Sequence, residues 1–382
     1  MKPALHAEIS VAQLSKHGEE LCGDKVEIIR NEKHTIIALS DGLGSGVKAN
    51  ILSTLTTKIA SSMLKRGIPL SDVVDTIAET LPVCRERKIA YSTLQIIKIA
   101  ADGWTTLVEF DSPPVFLLRK GRLGALPIVE KEISGKLFRQ ASLQLREDDM
   151  LIAVTDGIIH AGIGAILKLG WGEAGVAQQL EEEWRPDITT ETICNRIITC
   201  AEGFYAGQPG DDSTVVALKV RRPKELILLT GPPSDSQYDE RIVKRFLSFE
   251  GSKVIAGGTT ANIVSRVLQK PLIVDYTCHN RDIPPTAVLE GIDLVTEGIL
   301  TLNAATEKLL SGKKIGIDLD GATRLAQQLL NADRITILAG GAINSAHQNP
   351  AFPMPINIKG QVLGKLQACL QQYGKQITIE WL

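Results

Sequence analysis

Leu39-Ser40-Asp41-Gly42-Leu43-Gly44-Ser45-Gly46 ends an apolar run, HTIIAL, on an aspartate, and hands the chain through three glycines to a stretch of helical spacing. Two further stretches repeat that layout, VTDGIIHAG (Val154 to Gly162) and GDDSTVV (Gly210 to Val216), and a fourth, CGDKVEI, precedes a strand-like run. Each places an aspartate beside glycine or a second aspartate where a strand gives way to a loop. Asp102-Gly103 shows what one such pair means alone, a turn between strands. Joint occurrence is what separates the set from four turns.

Around these motifs the rhythm is that of a sheet interrupted by helix pairs. VEIIR and HTIIAL flank a polar turn at 31–33, a hairpin signal. Helical spacing follows over 50–65 and 70–81, stopped at Gly67 and Pro82. STLQIIKIA, TTLVEF, PVFLLRKG and the run 149–155 then read as strands, 174–183 and 190–201 as helices, and STVVALKV as a last strand. Strands in groups with helices in pairs predict an α+β fold, an antiparallel β-sandwich flanked by helix pairs. The basic-proline stretch Arg221-Arg222-Pro223-Lys224 sets the boundary, giving domains 1–222 and 223–382.

Beyond it strand, glycine turn and helix alternate: ELILLTG, a helix over 238–250, SKVIAGG, a helix over 260–268, PLIVDY and RITILAGG. This predicts a smaller Rossmann-like α/β domain. The run 292–310, with Leu294, Ile299 and Leu302, reads mainly as a core-facing helix. AGGTTANIVSR leads from a strand directly into a helix, so Gly257, Gly258, Thr259 and Thr260 form a candidate anion-binding loop; a helix cap with nothing bound is the equal alternative. Asp275, Asp293 and Glu297 either line the same cleft or are solvated.

At 382 residues, 44% hydrophobic and 23% charged, the chain suits two globular domains. A net charge of −2 with acids and bases mixed gives no footprint for nucleic acid or an anionic membrane. No apolar run approaches the roughly 20 residues of a membrane span, and MKPALHAEIS lacks a signal-peptide layout, so the expectation is a cytosolic protein. The six cysteines (Cys22, Cys84, Cys194, Cys200, Cys278, Cys369) are scattered without a CxxC pair and read as reduced thiols, mostly buried.

Hard divalent cations take oxygen ligands, and short aspartates on strand ends move little, while glycine exposes a carbonyl as a further ligand. Four carboxylates held together without cations raise one another's pKa. Two cations about 3.5 to 4 Å apart relieve this and can activate water against a phosphoryl group.

CGD, SDGLGSG, YSTLQI, DSPPVFLLRKG, VTDG and GDDSTVV, in that order, resemble the metal-dependent (PPM, type 2C) serine/threonine protein phosphatases, and especially the bacterial branch of stage II sporulation protein E, over residues 1 to 220. The resemblance implies Asp41 as the aspartate bridging both metals, Gly42 as a carbonyl ligand, Asp24 on one metal, Asp156 and Asp211 on the other, and Asp212 as support. Gly44 and Gly46 match the glycines that let the loop turn into the next helix. It further implies two cations, Mn2+ or Mg2+, and a phosphoserine or phosphothreonine substrate on a bacterial signalling protein such as a STAS-type anti-sigma antagonist. Switching by helix movement and homodimer formation, centred on the helix after Gly46, is also implied. Eukaryotic members carry Glu-Asp at the first motif and an upstream phosphate-gripping arginine; here Gly23 precedes Asp24 and no arginine occurs before Arg30. The sporulation branch shares the Gly-Asp form. His17, His34 and His160 are positional candidates for a general acid and are left outside the site.

Two other readings stand beside this one. In the first, a C-terminal module senses a small anionic ligand and the phosphatase fold is a weakly active or inactive scaffold. In the second, a nucleotide-utilising enzyme is centred on 256–266.

Overall fold

The computed structural model describes residues 5–31, 33–80, 92–277, 283–313, 315–316, 320–341 and 355–382. Leu81, Pro82, Cys84, Tyr91 and Cys278 lie outside the described residues. The chain divides into two compact units, Met1–Arg222 and Pro223–Leu382.

The strands described in the first unit are, in chain order, β1 (His6–Leu14), β2 (Asp24–Arg30), β3 (His34–Asp41), β4 (Leu94–Ala100), β5 (Trp104–Phe110) and β6 (Phe116–Arg119). There follow β7 (Arg122–Gly124), β8 (Val129–Ile133), β9 (Lys136–Gln144), β10 (Met150–Val154) and β11 (Ser213–Arg221). They form two sheets, β1-β11-β10-β6-β7 and β2-β3-β4-β5-β9-β8, with every pairing antiparallel. Helices α1 (Gly46–Lys65) and α2 (Leu70–Thr80) follow β3, while α3 (Asp156–Ile159), α4 (Gly172–Glu183) and α5 (Thr190–Phe204) lie between β10 and β11.

Period-two alternation explains the layering. Ile37 and Leu39 of β3 share a core with Leu151, Ala153, Val216 and Leu218 of the facing sheet. Their neighbours Ile36 and Ala38 pack with Ala60 and Leu64 of α1 and Ile77 of α2. On the other sheet, Ile152, Val154, Val215 and Ala217 face Val176 and Leu180 of α4 and Ile193 and Ile197 of α5. The result is four layers, helix, sheet, sheet, helix, and it is why β10 and β11 are apolar at nearly every position.

Strands β1, β7, β8 and β9 lie outside the sequence expectation, and α1 starts earlier than expected. β1 was not anticipated; it is an edge strand in which Ala7 alone of nine residues is buried, so its alternation is weak. β8, VEKEI, is exposed at four of five positions and reads as loop. Helix α1 begins at Gly46, four residues before the predicted Asn50, because Ser45 is extended and Gly46 takes φ 62°, a tight entry that glycine makes without strain.

The second unit holds β12 (Glu225–Thr230), α6 (Asp239–Leu247), β13 (Ser252–Ala256), α7 (Gly258–Leu268), β14 (Ile273–Asp275), β15 (Thr286–Val288) and β16 (Leu294–Thr296). It continues with α8 (Ile299–Leu310), α9 (Gly321–Asn331), β17 (Arg334–Ala339), α10 (Pro355–Gln372) and β18 (Gln376–Trp381). The sheet order is β14-β15-β16-β13-β12-β17-β18, parallel from β16 to β18, with β14 and β15 antiparallel at one edge. Helices α8, α9 and α10 pack on one face and α6 and α7 on the other. The single helix expected over 292–310 is corrected: Leu294 lies in strand β16, and the helix begins at Ile299. A three-residue strand is too short for periodicity to separate it from the helix that follows.

Candidate metal centre

The hairpin of β2 and β3 places Asp24 directly across from Asp41, the last residues of the β2–β3 ladder before the chain turns away. Two acids at facing positions repel, so the pair is unfavourable as a piece of sheet. Its neighbourhood adds more negative charge. Asp156 opens α3 at the end of β10, and Asp211 and Asp212 precede β11, the partner of β10.

Asp24 is 2% exposed, and one of its oxygens is held firmly. Thr155 Oγ1 and Thr214 Oγ1 donate to Asp24 Oδ2 at 2.8 and 2.7 Å. The Thr155 hydroxyl in turn accepts from the Thr214 backbone N–H at 2.8 Å, and Gln13 Nε2 reaches Thr214 Oγ1 at 3.0 Å. Asp212, also buried, accepts from the Lys16 backbone N–H through Oδ1 at 3.0 Å, tying the segment after β1 to the site. Asp41 is fixed by its backbone: its N–H donates to Thr93 Oγ1 at 2.9 Å, and its carbonyl accepts from Ser92 Oγ at 3.0 Å.

These acids load one another electrostatically. The Asp41 carboxyl is pushed up to about 10, by burial first and then by the charges of Asp24, Asp156 and Asp211. Asp24 is raised to about 7: burial dominates, the Thr214 and Thr155 hydrogen bonds work against it, and the charges of Asp212 and Asp156 add to it. Asp211 is raised by burial and by Asp156. Cys22, next to Asp24 in the loop, is driven up to about 12 by burial and then by Asp24.

Asp24 Oδ1, Asp156 Oδ1 and Asp212 Oδ2 are buried without a hydrogen-bond partner among the described residues. Such acceptors are costly to bury unless a donor or cation meets them. Among the described residues no three histidine, cysteine, aspartate or glutamate side chains already stand as a finished ligand set around one point. What the acids share is a common negative field and unmet lone pairs. An all-oxygen donor set with those properties fits a hard divalent cation such as Mg2+ or Mn2+.

Helix α1 floors the centre. A Cβ on Gly42 would lie 2.0 Å from the Ala49 carbonyl oxygen, and one on Gly23 would lie 2.8 Å from both Ala49 Cβ and Asp212 Oδ2. Both loops therefore rest against the second turn of α1. The Tyr205 hydroxyl donates to the Gly157 carbonyl at 2.7 Å and steadies the turn after Asp156. Gly44, at φ 109°, stands clear of other atoms and serves the loop's path alone.

The structure thus gathers Asp24, Asp41, Asp156, Asp211 and Asp212 around one region. His34 begins β3, at the end opposite Asp41, and Arg30 donates to the Ala7 carbonyl at 2.8 Å, so neither reaches the centre through the strand it occupies. Thr155 and Thr214 were missed, although each sits inside a quoted motif, VTDG and GDDSTVV. Of the other acids, Asp293 accepts from the Lys253 N–H at 2.7 Å, and Asp275, partly exposed, accepts from the Thr277 N–H at 3.0 Å. Cys22, Cys194, Cys200 and Cys369 are free thiols, and Cys194 and Cys369 are buried. No helix among the described residues is long and apolar enough to cross a membrane.

Comparison with known proteins matches this geometry to one family. Stage II sporulation protein E of Priestia megaterium is 24% identical over 222 residues, covering 56% of this chain and 36% of that protein. Phosphoserine phosphatase RsbX of Bacillus subtilis (strain 168) is 32% identical over 94 residues, 25% of this chain and 44% of RsbX. The chain therefore spans well under half the length of either relative. Among solved structures, the PP2C phosphatase domain with a fragment of the regulatory domain of SpoIIE from Bacillus subtilis aligns with a TM-score of 0.50 at 22% identity, covering 57% of this chain and 65% of that one. That likeness is one of fold. The family model described as Stage II sporulation protein E (SpoIIE) matches residues 31–221, half of the chain and the sandwich from β3 to β11, and the chain belongs to that family.

Proposed function

We propose that residues 1–222 form a phosphoprotein phosphatase that hydrolyses phosphoserine or phosphothreonine on a bacterial signalling protein in the cytosol. Asp24, Asp41, Asp156 and Asp211, with the Gly42 carbonyl, hold two divalent cations, Mn2+ or Mg2+. The observation that carries the reading is Asp41, whose carboxyl is forced up to about 10 by burial and by three neighbouring aspartates. A chain gains nothing from such a cluster unless cations occupy it. Family membership supports the same reading, and RsbX, a relative over part of this unit, is named a phosphoserine phosphatase.

When bound, the cations neutralise the acids, supply an activated water and clamp the phosphoryl oxygens. The chain's own residues prepare that centre. Thr155 and Thr214 favour the ionised form of Asp24 against its burial and fix the direction of its free oxygen. Asp212 draws the Lys16 backbone against the site. Ser92 and Thr93 hold Asp41 at the strand end. The substrate class fits a STAS-type domain, the partner implied by the sporulation branch. In this reading residues 223–382 are a Rossmann-like unit with a ligand-sensing role, and α1 is the switching and dimerising helix.

Turnover of p-nitrophenyl phosphate with Mn2+ tests the assignment. Asp41→Ala and Asp211→Ala are expected to lose at least ~100-fold in kcat/KM, as removal of an essential charge-stabilising group does. Equal turnover in all three proteins overturns it.

A further inference from the structure

In the second unit β12, β13, β16 and β17 run parallel, so their carboxyl ends open on a single edge. Sheets of this kind bind ligands outside the carboxyl ends, where successive crossovers diverge to opposite sides. Here the divergence falls between β12 and β17: the chain leaves β12 toward β13 on one side and β17 toward β18 on the other. The loops at this edge approach closely. The Cβ position of Gly257 lies 3.8 Å from the Gly231 amide nitrogen, and that of Gly298 lies 3.7 Å from Gly257 Cα.

Three polar groups there keep hydrogen-bonding capacity to spare among the described residues. Thr260, in the first turn of α7, is 3% exposed, and its Oγ1 has no hydrogen-bond partner among the described residues. That oxygen lies 3.1 Å from the Cβ position of Gly257, so it faces the loop that starts the helix. Lys359 of α10 brings its ammonium over Gly231 and donates to the Gly340 carbonyl at 2.7 Å. Burial holds Lys359 below the usual lysine range, and among the described residues no carboxylate pairs with it. Glu297, after β16, has a buried Oε2 without a hydrogen-bond partner among the described residues. The backbone N–H groups of Gly258, Thr259 and Thr260 add the unpaired donors of a helix start.

We infer that this edge binds a small phosphate ester carrying free hydroxyl groups, a sugar phosphate or a nucleotide. The phosphate meets Lys359, the Thr260 hydroxyl and the first N–H groups of α7. Glu297 accepts from a ligand hydroxyl and turns the bare anion away from its side of the edge. Gly231, Gly257 and Gly298 leave the space that side chains would fill.

Calorimetry on the full chain in EDTA, where no divalent-dependent hydrolysis consumes the probes, tests this with inorganic phosphate, ribose 5-phosphate and ADP. One of the two esters is expected to bind at least tenfold more tightly than inorganic phosphate; whichever is tighter identifies the source. Thr260→Val and Lys359→Met each weaken that ester at least tenfold, Thr260→Ser retains it, and Glu297→Gln weakens the ester but not inorganic phosphate. The thermal transition of the second unit, followed by scanning calorimetry without ligand, stays at the wild-type level in all four variants, which reports that this unit folds. No binding by either ester at about 1 mM overturns the inference. So does unchanged affinity in Thr260→Val and Lys359→Met, or inorganic phosphate binding as tightly as both esters.

Discussion

The Asp24–Asp41 pair sets the behaviour of the first unit when cations are withheld. Both carboxyls have folded pKa values above their ordinary range, about 7 and about 10. An acid raised on folding favours the native state below its unfolded pKa, and that contribution is lost as pH rises through the folded value. Thermal melts in EDTA should therefore fall in Tm from about pH 4 toward pH 10, and saturating Mg2+ should flatten the trend. Asp41→Asn, which removes the charge and keeps the shape, should raise Tm in EDTA at pH 8 by about 4 °C, the shift that 1–2 kcal/mol makes in a unit of this size. The same variant should lose turnover; a lower Tm would contradict the electrostatic account. Gly42→Ala tests packing instead. Its Cβ meets the Ala49 carbonyl at 2.0 Å, so about 1–3 kcal/mol of stability should go in urea titrations. The aspartates were legible because each is tied to glycine or a second acid at a strand end. Thr155 and Thr214 were not, because a threonine beside a strand ordinarily reads as β-propensity, and only the fold brings both to one oxygen of Asp24.

Among the elements, β1 is held to its surroundings by a polar staple. Arg221 Nε lies 2.6 Å from Glu8 Oε2, and the Thr190 hydroxyl at the start of α5 reaches Glu8 Oε1 at 3.2 Å. Burial raises the Glu8 pKa, but the Arg221 hydrogen bond and charge outweigh it and the net shift is downward. A depressed carboxyl stabilises above its unfolded pKa and ceases to do so as pH falls through the folded one. Glu8→Gln should cost about 1 kcal/mol at pH 7, where part of the pair is screened by solvent, and almost nothing near pH 3. Urea titrations at the two values measure the difference. Helix α1 carries a second consequence. Val47, Ile51 and Leu55 recur at every turn on its solvent side and are exposed, the surface that the dimer reading uses. Ile51→Glu should shift sedimentation from dimer to monomer while leaving α1 folded; an unchanged profile removes the helix from that role. Periodicity found α1, α2, α4 and α5 because their apolar stripes are long. It missed β7 and β8, which are short and at a sheet edge, left β9, β15, α9, α10 and β18 unread, and merged β16 with α8.

For the whole molecule, the change of rhythm at 221–224 was readable because a sandwich and a doubly covered parallel sheet impose different spacings on the chain. The strand order of the second unit was not: local pattern gives the alternation, while the placement of β12 beside β17 depends on contacts about a hundred residues apart. Two units, each with its own core, should melt as separable steps, with Mg2+ raising the first and ligand at the second unit raising the other. Scanning calorimetry with each addition alone checks this, and a single transition moved equally by both would contradict it. The floor of the metal centre offers a finer reporter. The Ala49 carbonyl that rests on Gly42 is also the acceptor for the Ser53 amide one helical turn on. Deuterium uptake at Ser53 thus reads out occupancy of the acids from inside a helix that carries none of them, and its slowing on Mn2+ addition would time the arrival of the ions without any substrate present.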